Sequence, residues 1–154
     1  MISLPKVLEP RVTYDKLGRP LAPLDALVEF PDNPRNEDDF DPDKSPAFRD
    51  LVNSIDQVGV REAIFVYPSG GKLQMKNGHR RKRAVELINS RRQKAFEDRI
   101  ALGEATADAR PPELELIPGL PFVLEEEPAS EFDREADMWL SEASRQKSSD
   151  PTAA

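Results

Sequence analysis

The sequence predicts a small α/β protein of the α+β-like kind, because segments with helical and strand patterns alternate along it. Three observations lead to this prediction: an amphipathic helix pattern from Ser45 to Gly59, a hairpin pattern over 63–76, and a long helix pattern from His79 to Leu102. The chain has 154 residues, of which 38% are hydrophobic, so it can fill one core. We therefore expect a single domain.

The first helix has clear sequence signals at both ends. Ser45 can cap its amino terminus, Pro46 fits the first helical position, and Gly59 suits the carboxyl-terminal stop. Apolar residues repeat between them at i, i+3, i+4 and i+7: Phe48, Leu51, Val52 and Ile55. This spacing predicts one buried helix face.

The hairpin precedes the long helix directly. Residues 63–67 (AIFVY) are β-formers, residues 68–71 (PSGG) favour a turn, and residues 72–76 (KLQMK) alternate polar with apolar. Asn77 and Gly78 then break the strand. The pattern predicts two antiparallel strands, a glycine turn and a helix in immediate succession.

The two ends of the chain differ from its centre. We expect residues 1–23, which are punctuated by prolines, to form an irregular arm, and residues 24–124 to form the domain. Residues 125–154 are expected to hold an acidic segment, one short helix and a disordered tail. Further strands are expected in three places: 24–30, and a pair formed by 113–117 and 122–124.

The composition excludes several kinds of chemistry. The chain has no cysteine, so it has no disulfide, catalytic thiol or thiolate metal site, and its single histidine, His79, cannot build a zinc centre of histidine ligands. No apolar run is long enough to span a bilayer and no signal peptide is evident, so we expect a cytoplasmic protein without a membrane partner. Because the net charge is −7, any site for a polyanion must be local.

One segment is strongly basic, although the chain as a whole is acidic. Residues 76–92 carry seven basic side chains and one acidic side chain, a local charge of +6. Its densest part, residues 76–83 (KNGHRRKR), lies on a glycine turn and in the first turn of the predicted long helix, where the helix dipole disfavours cations. A bound anion would resolve this conflict, because free N–H groups, a glycine and arginine side chains together form a phosphate site. The alternative is a solvated basic helix face that pairs with acidic residues elsewhere in the protein.

The candidate phosphate-contacting residues of this segment are Lys76, Asn77, Gly78, His79, Arg80, Arg81 and Arg83. His79 is a candidate phosphate ligand or general acid, or it only shapes the turn. We favour a contact role over catalysis, because the neighbouring cations bias the imidazole toward its neutral form.

Three carboxylates are candidates for metal or nucleotide contacts. Glu62, just before the first hairpin strand, is a candidate nucleotide, metal or catalytic residue, and the alternative is an exposed carboxylate at a strand end. Glu131 and Asp133 could hold Mg²⁺ beside a polyphosphate, and the alternative for them is the surface of an amphipathic helix.

Three consecutive segments are similar to a known family. Residues 48–59 (FRDLVNSIDQVG), 60–76 (VREAIFVYPSGGKLQMK) and 77–84 (NGHRRKRA) resemble the amino-terminal domain of the ParB partition proteins, within the ParB/sulfiredoxin superfamily. Residues 24–36 (LDALVEFPDNPRN) resemble the opening strand and N-P-R loop of that domain. The resemblance implies a ParB/sulfiredoxin-type mixed sheet with packed helices.

The resemblance also implies a nucleotide site. In ParB-like domains a G-x-R-R motif binds the triphosphate of CTP or, in some relatives, ATP, together with Mg²⁺. Here that role is implied for Gly78, Arg80, Arg81 and Arg83. Residues 59–64 match the family's first nucleotide motif, which makes Gly59 and Glu62 candidates, although Glu62 and Ala63 replace the usual Gln-Pro. Residues 131–134 are a shortened form of the motif that helps to hold Mg²⁺.

The function implied is that of a stand-alone nucleotide-binding module of a bacterium, plasmid or phage that acts in DNA partition or regulation. No DNA-reading helix-turn-helix follows the matching region, so we expect DNA to be contacted through another chain, and a homodimer is a further option. Gly78 stands where sulfiredoxin has its catalytic cysteine, which excludes that activity. The alternatives are a slow NTPase, a ParB-like metal-dependent nuclease, an ATP-dependent small-molecule kinase, and an interaction surface that has lost nucleotide binding.

Overall fold

The computed structural model describes residues 2–30 and 37–128. Within these ranges the chain forms two compact units. The first unit takes in residues 2–30, 62–79 and 119–128 and contains all the strands, and the second takes in residues 37–61 and 80–118 and is helical.

The first unit is built on a six-stranded mixed sheet with the order β1-β2-β6-β4-β5-β3. Its strands are β1 (Thr13–Tyr14), β2 (Pro20–Ala22), β3 (Leu27–Val28), β4 (Ile64–Ser69), β5 (Lys72–Met75) and β6 (Leu120–Leu124). The pairs β3·β5 and β4·β6 are parallel, and the other three pairs are antiparallel. The predicted α/β class with a mixed sheet and helices is therefore confirmed.

The β4–β5 hairpin supplies much of the core of this unit. Ile64, Val66, Leu73 and Met75 are completely buried, whereas Phe65 between the first two is partly exposed. This alternation follows from the period of two in a strand, which sends successive side chains to opposite faces. The hairpin predicted from the sequence is confirmed.

Residues 2–23 contain more regular structure than the proline pattern indicates. They hold a 3-10 helix, Lys6–Arg11, as well as β1 and β2, and β2 joins the sheet by pairing with β6. Residues 24–30 divide into a short 3-10 helix, Leu24–Ala26, followed by β3. A strand over 113–117 was also expected, and that prediction is wrong, because a 3-10 helix, Pro112–Leu114, begins this segment.

The helical unit contains α1 (Pro46–Val58) and almost all of α2 (His79–Ala101), together with the 3-10 helices Glu37–Phe40 and Pro112–Leu114. The hydroxyl of Ser45 accepts a hydrogen bond from the N–H of Phe48 at 3.2 Å, which confirms the predicted cap of α1. Phe48, Val52 and Ile55 are buried, as their spacing predicts. The helices predicted from Ser45 to Gly59 and from His79 to Leu102 are confirmed, whereas the short helix and disordered tail expected beyond residue 128 lie outside the described residues.

The carboxyl-terminal part of this unit is held by side chains of α2. The amide of Asn89 donates to the carbonyl of Ile117 at 3.0 Å and accepts from the N–H of the same residue at 2.8 Å. This reciprocal pair gives hydrogen-bond partners to the carbonyl and N–H of Ile117, which lies in an irregular segment outside the sheet. No helix in the described ranges is both long and apolar enough to cross a membrane.

Candidate functional site

The basic segment begins at the turn that joins β5 to α2. Gly78 has a φ of +83°, in the left-handed region, and the next residue, His79, begins α2. A side chain at this φ costs about 1–2 kcal/mol, so glycine is the residue that suits the position. The predicted order of strand, glycine turn and helix is confirmed.

Two buried polar side chains flank Gly78. The side-chain oxygen of Asn77 accepts a hydrogen bond from the N–H of Phe65 at 2.8 Å. The Nε2 atom of His79 accepts a hydrogen bond from the N–H of Phe30 at 2.9 Å. All four residues lie in the first unit, so the turn is attached on both sides to neighbouring segments of that unit.

The hydrogen bond of His79 defines the state of its ring. Because Nε2 acts as an acceptor, a neutral imidazole with this hydrogen bond carries its proton on Nδ1. The side chain is completely buried. Of the interpretations open from the sequence, this geometry favours a residue that shapes the turn over a general acid.

Helix α2 continues with four consecutive cations, the first three of them in its first turn. Arg81 and Lys82 are only 7% and 8% exposed, and Arg80 and Arg83 are half-buried. No acidic residue occurs in this first turn, where the partial positive charge of the dipole would favour one. The helix therefore gathers positive charge at the end where its own electrostatics oppose it.

Ion pairs link cations of the segment to exposed acids. Lys76 lies 2.9 Å from Glu125 in the first unit. In the helical unit, Lys82 lies 3.1 Å from Glu86 and Arg83 lies 3.5 Å from Glu37. The three carboxylate side chains are 40%, 44% and 83% exposed, in that order. Each pair thus has an exposed carboxylate, whereas its cation is only 15%, 10% or 33% exposed, in the same order.

Arg83 has a second contact that the sequence did not indicate. Its guanidinium lies 4.7 Å from the ring centroid of Phe40, whose ring meets Phe48 edge to face at 6.2 Å between centroids. Phe40 is the one aromatic residue in the acidic stretch 31–47. That isolated aromatic was the available signal, since arginine stacks readily on aromatic faces.

The remaining candidate residues have different surroundings. Gly59 ends α1 with φ +82° and ψ −178°, a conformation that is essentially restricted to glycine, and its N–H donates to the carbonyl of Ile55 at 2.8 Å. Glu62 belongs to the first unit and is exposed. Glu131 and Asp133 lie outside the described residues. Within residues 2–30 and 37–128, no group of three or more His, Asp or Glu side chains could hold a metal ion.

These observations define a mixed α/β protein whose longest helix starts with a glycine turn and a run of cations. No protein-family model and no curated protein matches the chain. A solved structure similar to it is the crystal structure of the C-terminally truncated chromosome-partitioning protein ParB from Caulobacter crescentus complexed with CTP-gamma-S, at 24% sequence identity and a TM-score of 0.47. The match covers 80% of this chain and 52% of that one, so the chain spans about half the length of the ParB structure. At this TM-score the match adds no argument about function, which has to come from the turn itself.

Proposed function

We propose that the chain is a nucleoside triphosphate-binding module and that residues 76–83 bind the phosphates. The observation that carries the proposal is the start of α2: a glycine in the left-handed region, then a helix of 23 residues whose first turn contains Arg80, Arg81 and Lys82 and no acid. Cations at this end gain nothing from the helix. A bound polyphosphate would interact favourably both with these cations and with the free N–H groups at the start of the helix.

The chemistry of the segment suits a triphosphate in two ways. The first N–H groups of a helix have no partner within the helix, and together with the dipole they attract anions. Arginine adds planar pairs of N–H donors that match phosphate oxygens. We assign the phosphate contacts to the main chain at Gly78 and to the side chains of Arg80, Arg81 and Arg83, with Lys76 as a further cation beside them.

The proposal is compatible with a divalent metal ion that is bound mainly by the phosphates of the nucleotide. Mg²⁺ is commonly bound by phosphate oxygens and water with only one or two protein carboxylates, so the described residues do not need to form a complete metal cage. When bound, Mg²⁺ would neutralise part of the phosphate charge. The sequence candidates for a carboxylate ligand remain Glu62, Glu131 and Asp133.

The wider role that we propose is in DNA partition or regulation, with DNA contacted through another chain and with CTP or ATP as the nucleotide. Slow hydrolysis is compatible with arginines placed on phosphates. A metal-dependent nuclease requires carboxylates gathered beside the turn. No contact among the described residues favours that alternative over nucleotide binding.

Calorimetric titration tests the proposal. The wild-type protein is titrated with CTP, ATP and GTP in the presence of Mg²⁺, and the titrations are repeated with Arg80→Ala. Loss of one charge-assisted contact is expected to weaken binding roughly 10- to 100-fold. Arg91→Ala is the matched control, because Arg91 is an exposed arginine of the same helix outside its first turn. This control is expected to bind within about twofold of the wild type.

The titrations can either support or contradict the proposed phosphate site. Saturable binding that Arg80→Ala weakens and Arg91→Ala does not would support the proposed site, and the preferred base would identify the nucleotide. Absence of saturable binding with all three nucleotides, or equal affinities for the wild type and a folded Arg80→Ala variant, would contradict it.

A further inference from the structure

The strongest further observation concerns the side chain of His79. This residue is completely buried and belongs to the proposed phosphate-binding segment, yet its Nε2 atom is occupied by the main chain of Phe30, 49 residues away in sequence. We propose that His79 is a positioning residue: it holds the Gly78 turn in place as a neutral acceptor and makes no contact with the phosphates. This inference rests on the proposed function.

Asn77, on the other side of the glycine, replaces a main-chain acceptor of the sheet. The N–H of Lys76 donates to the carbonyl of Phe65 at 2.8 Å, which continues the β4–β5 ladder by one residue. In a regular antiparallel pair, the N–H of Phe65 would donate to the carbonyl of Lys76. The side-chain oxygen of Asn77 accepts that hydrogen bond instead, at 2.8 Å. The chain can therefore leave the sheet and turn at Gly78 while the N–H of Phe65 keeps a hydrogen-bond acceptor.

His79 is attached to the chain that leaves β3. The N–H of Phe30 donates to Nε2 at 2.9 Å, and Phe30 is itself buried. This hydrogen bond fixes the position of His79 against the residues that follow β3 in the same unit. The peptide groups around Gly78 are thus held from two directions, by Phe65 and by Phe30.

These hydrogen bonds fix the turn before a ligand binds. Binding sites need their contacting groups held within about 0.5 Å by surrounding hydrogen bonds and packing. A turn fixed in advance also avoids the entropy cost of ordering it on binding. The acceptor at Nε2 therefore supports phosphate affinity through the backbone, and the imidazole itself does not need to reach the ligand.

A pair of substitutions separates positioning from ligand contact. His79→Gln places an amide oxygen near the position of Nε2 and keeps the acceptor, whereas His79→Leu keeps similar bulk without an acceptor. Both variants are titrated with Mg²⁺-nucleotide and with inorganic triphosphate, well below their thermal unfolding transitions. We expect His79→Leu to lose roughly tenfold or more in affinity for both ligands and His79→Gln to stay within about threefold of the wild type. Equal losses in the two folded variants would overturn the inference.

Nitrogen NMR of the ring provides a measurement that does not depend on any variant. His79 is the only histidine of the chain, so its ring nitrogens give one set of signals. We expect Nδ1 to be protonated and Nε2 to be unprotonated, both before and after saturation with Mg²⁺-nucleotide. A proton on Nε2, or a change of protonation state when nucleotide binds, would contradict the positioning role.

The failure of this inference is distinguishable from failure of the proposed function. If Arg80→Ala binds nucleotide as well as the wild type does, the phosphate site is wrong, whatever the tautomer of His79. If Arg80→Ala loses binding while Nε2 is protonated, the phosphate site stands and the positioning role fails. If His79→Leu does not fold, the ring tautomer and the affinity of His79→Gln decide.

Discussion

Both ends of α2 carry cations, but these cations have different structural explanations. At the carboxyl-terminal end, Arg99 lies in the last turn, where the helix dipole favours a cation, and its guanidinium lies 2.9 Å from Glu113. At the amino-terminal end, Arg80 and Arg81 lie in the first turn, where the dipole opposes cations and where the helix sequence itself has no acidic residue. The helix dipole thus explains the position of Arg99, but it does not explain the cations in the first turn.

This difference is the basis on which we propose a ligand site at the amino-terminal end of α2. In the carboxyl-terminal half of α2, Arg92 links the helix to neighbouring segments by donating to the carbonyl of Glu115 at 2.8 Å and to the carboxylate of Asp56 at 2.9 Å. Near the amino terminus, Lys82 and Arg83 are paired with the exposed acids Glu86 and Glu37. A charge arrangement that the fold does not require is better explained by a function.

The largest expected effect comes from comparing a glycine at each end of the helix. Gly78 and Gly103 have φ values of +83° and +76°, so an alanine at either position costs about 1–2 kcal/mol of stability. Gly78→Ala is also expected to weaken nucleotide binding roughly tenfold or more, because it distorts the turn whose N–H groups face the phosphates. Gly103→Ala is expected to leave the affinity unchanged. Urea unfolding and calorimetric titration of both variants measure the two quantities.

The comparison between the glycines has a clear contrary outcome. Equal affinities for Gly78→Ala and Gly103→Ala, at equal losses of stability, would show that the turn before α2 has no special part in binding. The account of the two helix ends would then be wrong.

A smaller effect is expected from the acid that pairs with Arg83. Glu37→Gln removes a carboxylate that competes with phosphate for this guanidinium, so nucleotide is expected to bind roughly two- to fivefold more tightly at low salt. The gain should shrink as salt rises, because salt screens exposed charges. Asp43→Asn, which removes the same charge from an exposed residue of the same segment, is the control and should give a clearly smaller gain. Equal gains from the two variants would assign the effect to net charge alone.

The smallest effect concerns the other end of α2 and depends on pH. The hydrogen bond from Arg99, together with the backbone N–H of Glu113 itself, lowers the pKa of the Glu113 carboxyl below its ordinary value of 4.5. A lowered pKa in the folded state contributes stability above the unfolded pKa, and this contribution is lost as the pH falls through the folded pKa.

Glu113→Gln removes this contribution. Wild type and variant are expected to differ slightly in urea midpoint at pH 7, to converge as the pH falls below 4.5, and to bind nucleotide equally. A difference in midpoint that grows toward acid pH would contradict the assignment, and so would a loss of nucleotide affinity.

The parts of the fold that depend on local signals could be predicted from the sequence. Helix α1 was predicted because its cap, its first-turn proline and its terminal glycine all lie within the helix or beside it. The β4–β5 hairpin and the start of α2 were predicted for the same reason. In each case residues close in sequence determine the structure.

The parts that depend on distant pairing could not be predicted in the same way. Strand β2 is three residues long, begins with a proline, and pairs with β1 on one side and on the other with β6, about 100 residues further along the chain. In the candidate site, the glycine turn was predictable, whereas the hydrogen bond between Phe30 and His79 and the stacking of Arg83 on Phe40 join residues far apart in sequence. No local pattern specifies such partners.

The most direct test of the central claim locates a bound nucleotide along α2. Amide NMR spectra of the ¹⁵N-labelled wild-type protein are recorded during titration with Mg²⁺-CTP and Mg²⁺-ATP. The account predicts large, saturable shifts for the amides of Gly78, His79 and Arg80 and none for Arg99 and Gly103. Shifts centred on the carboxyl-terminal end of α2, or saturable binding that leaves the Gly78 turn unperturbed, would contradict it.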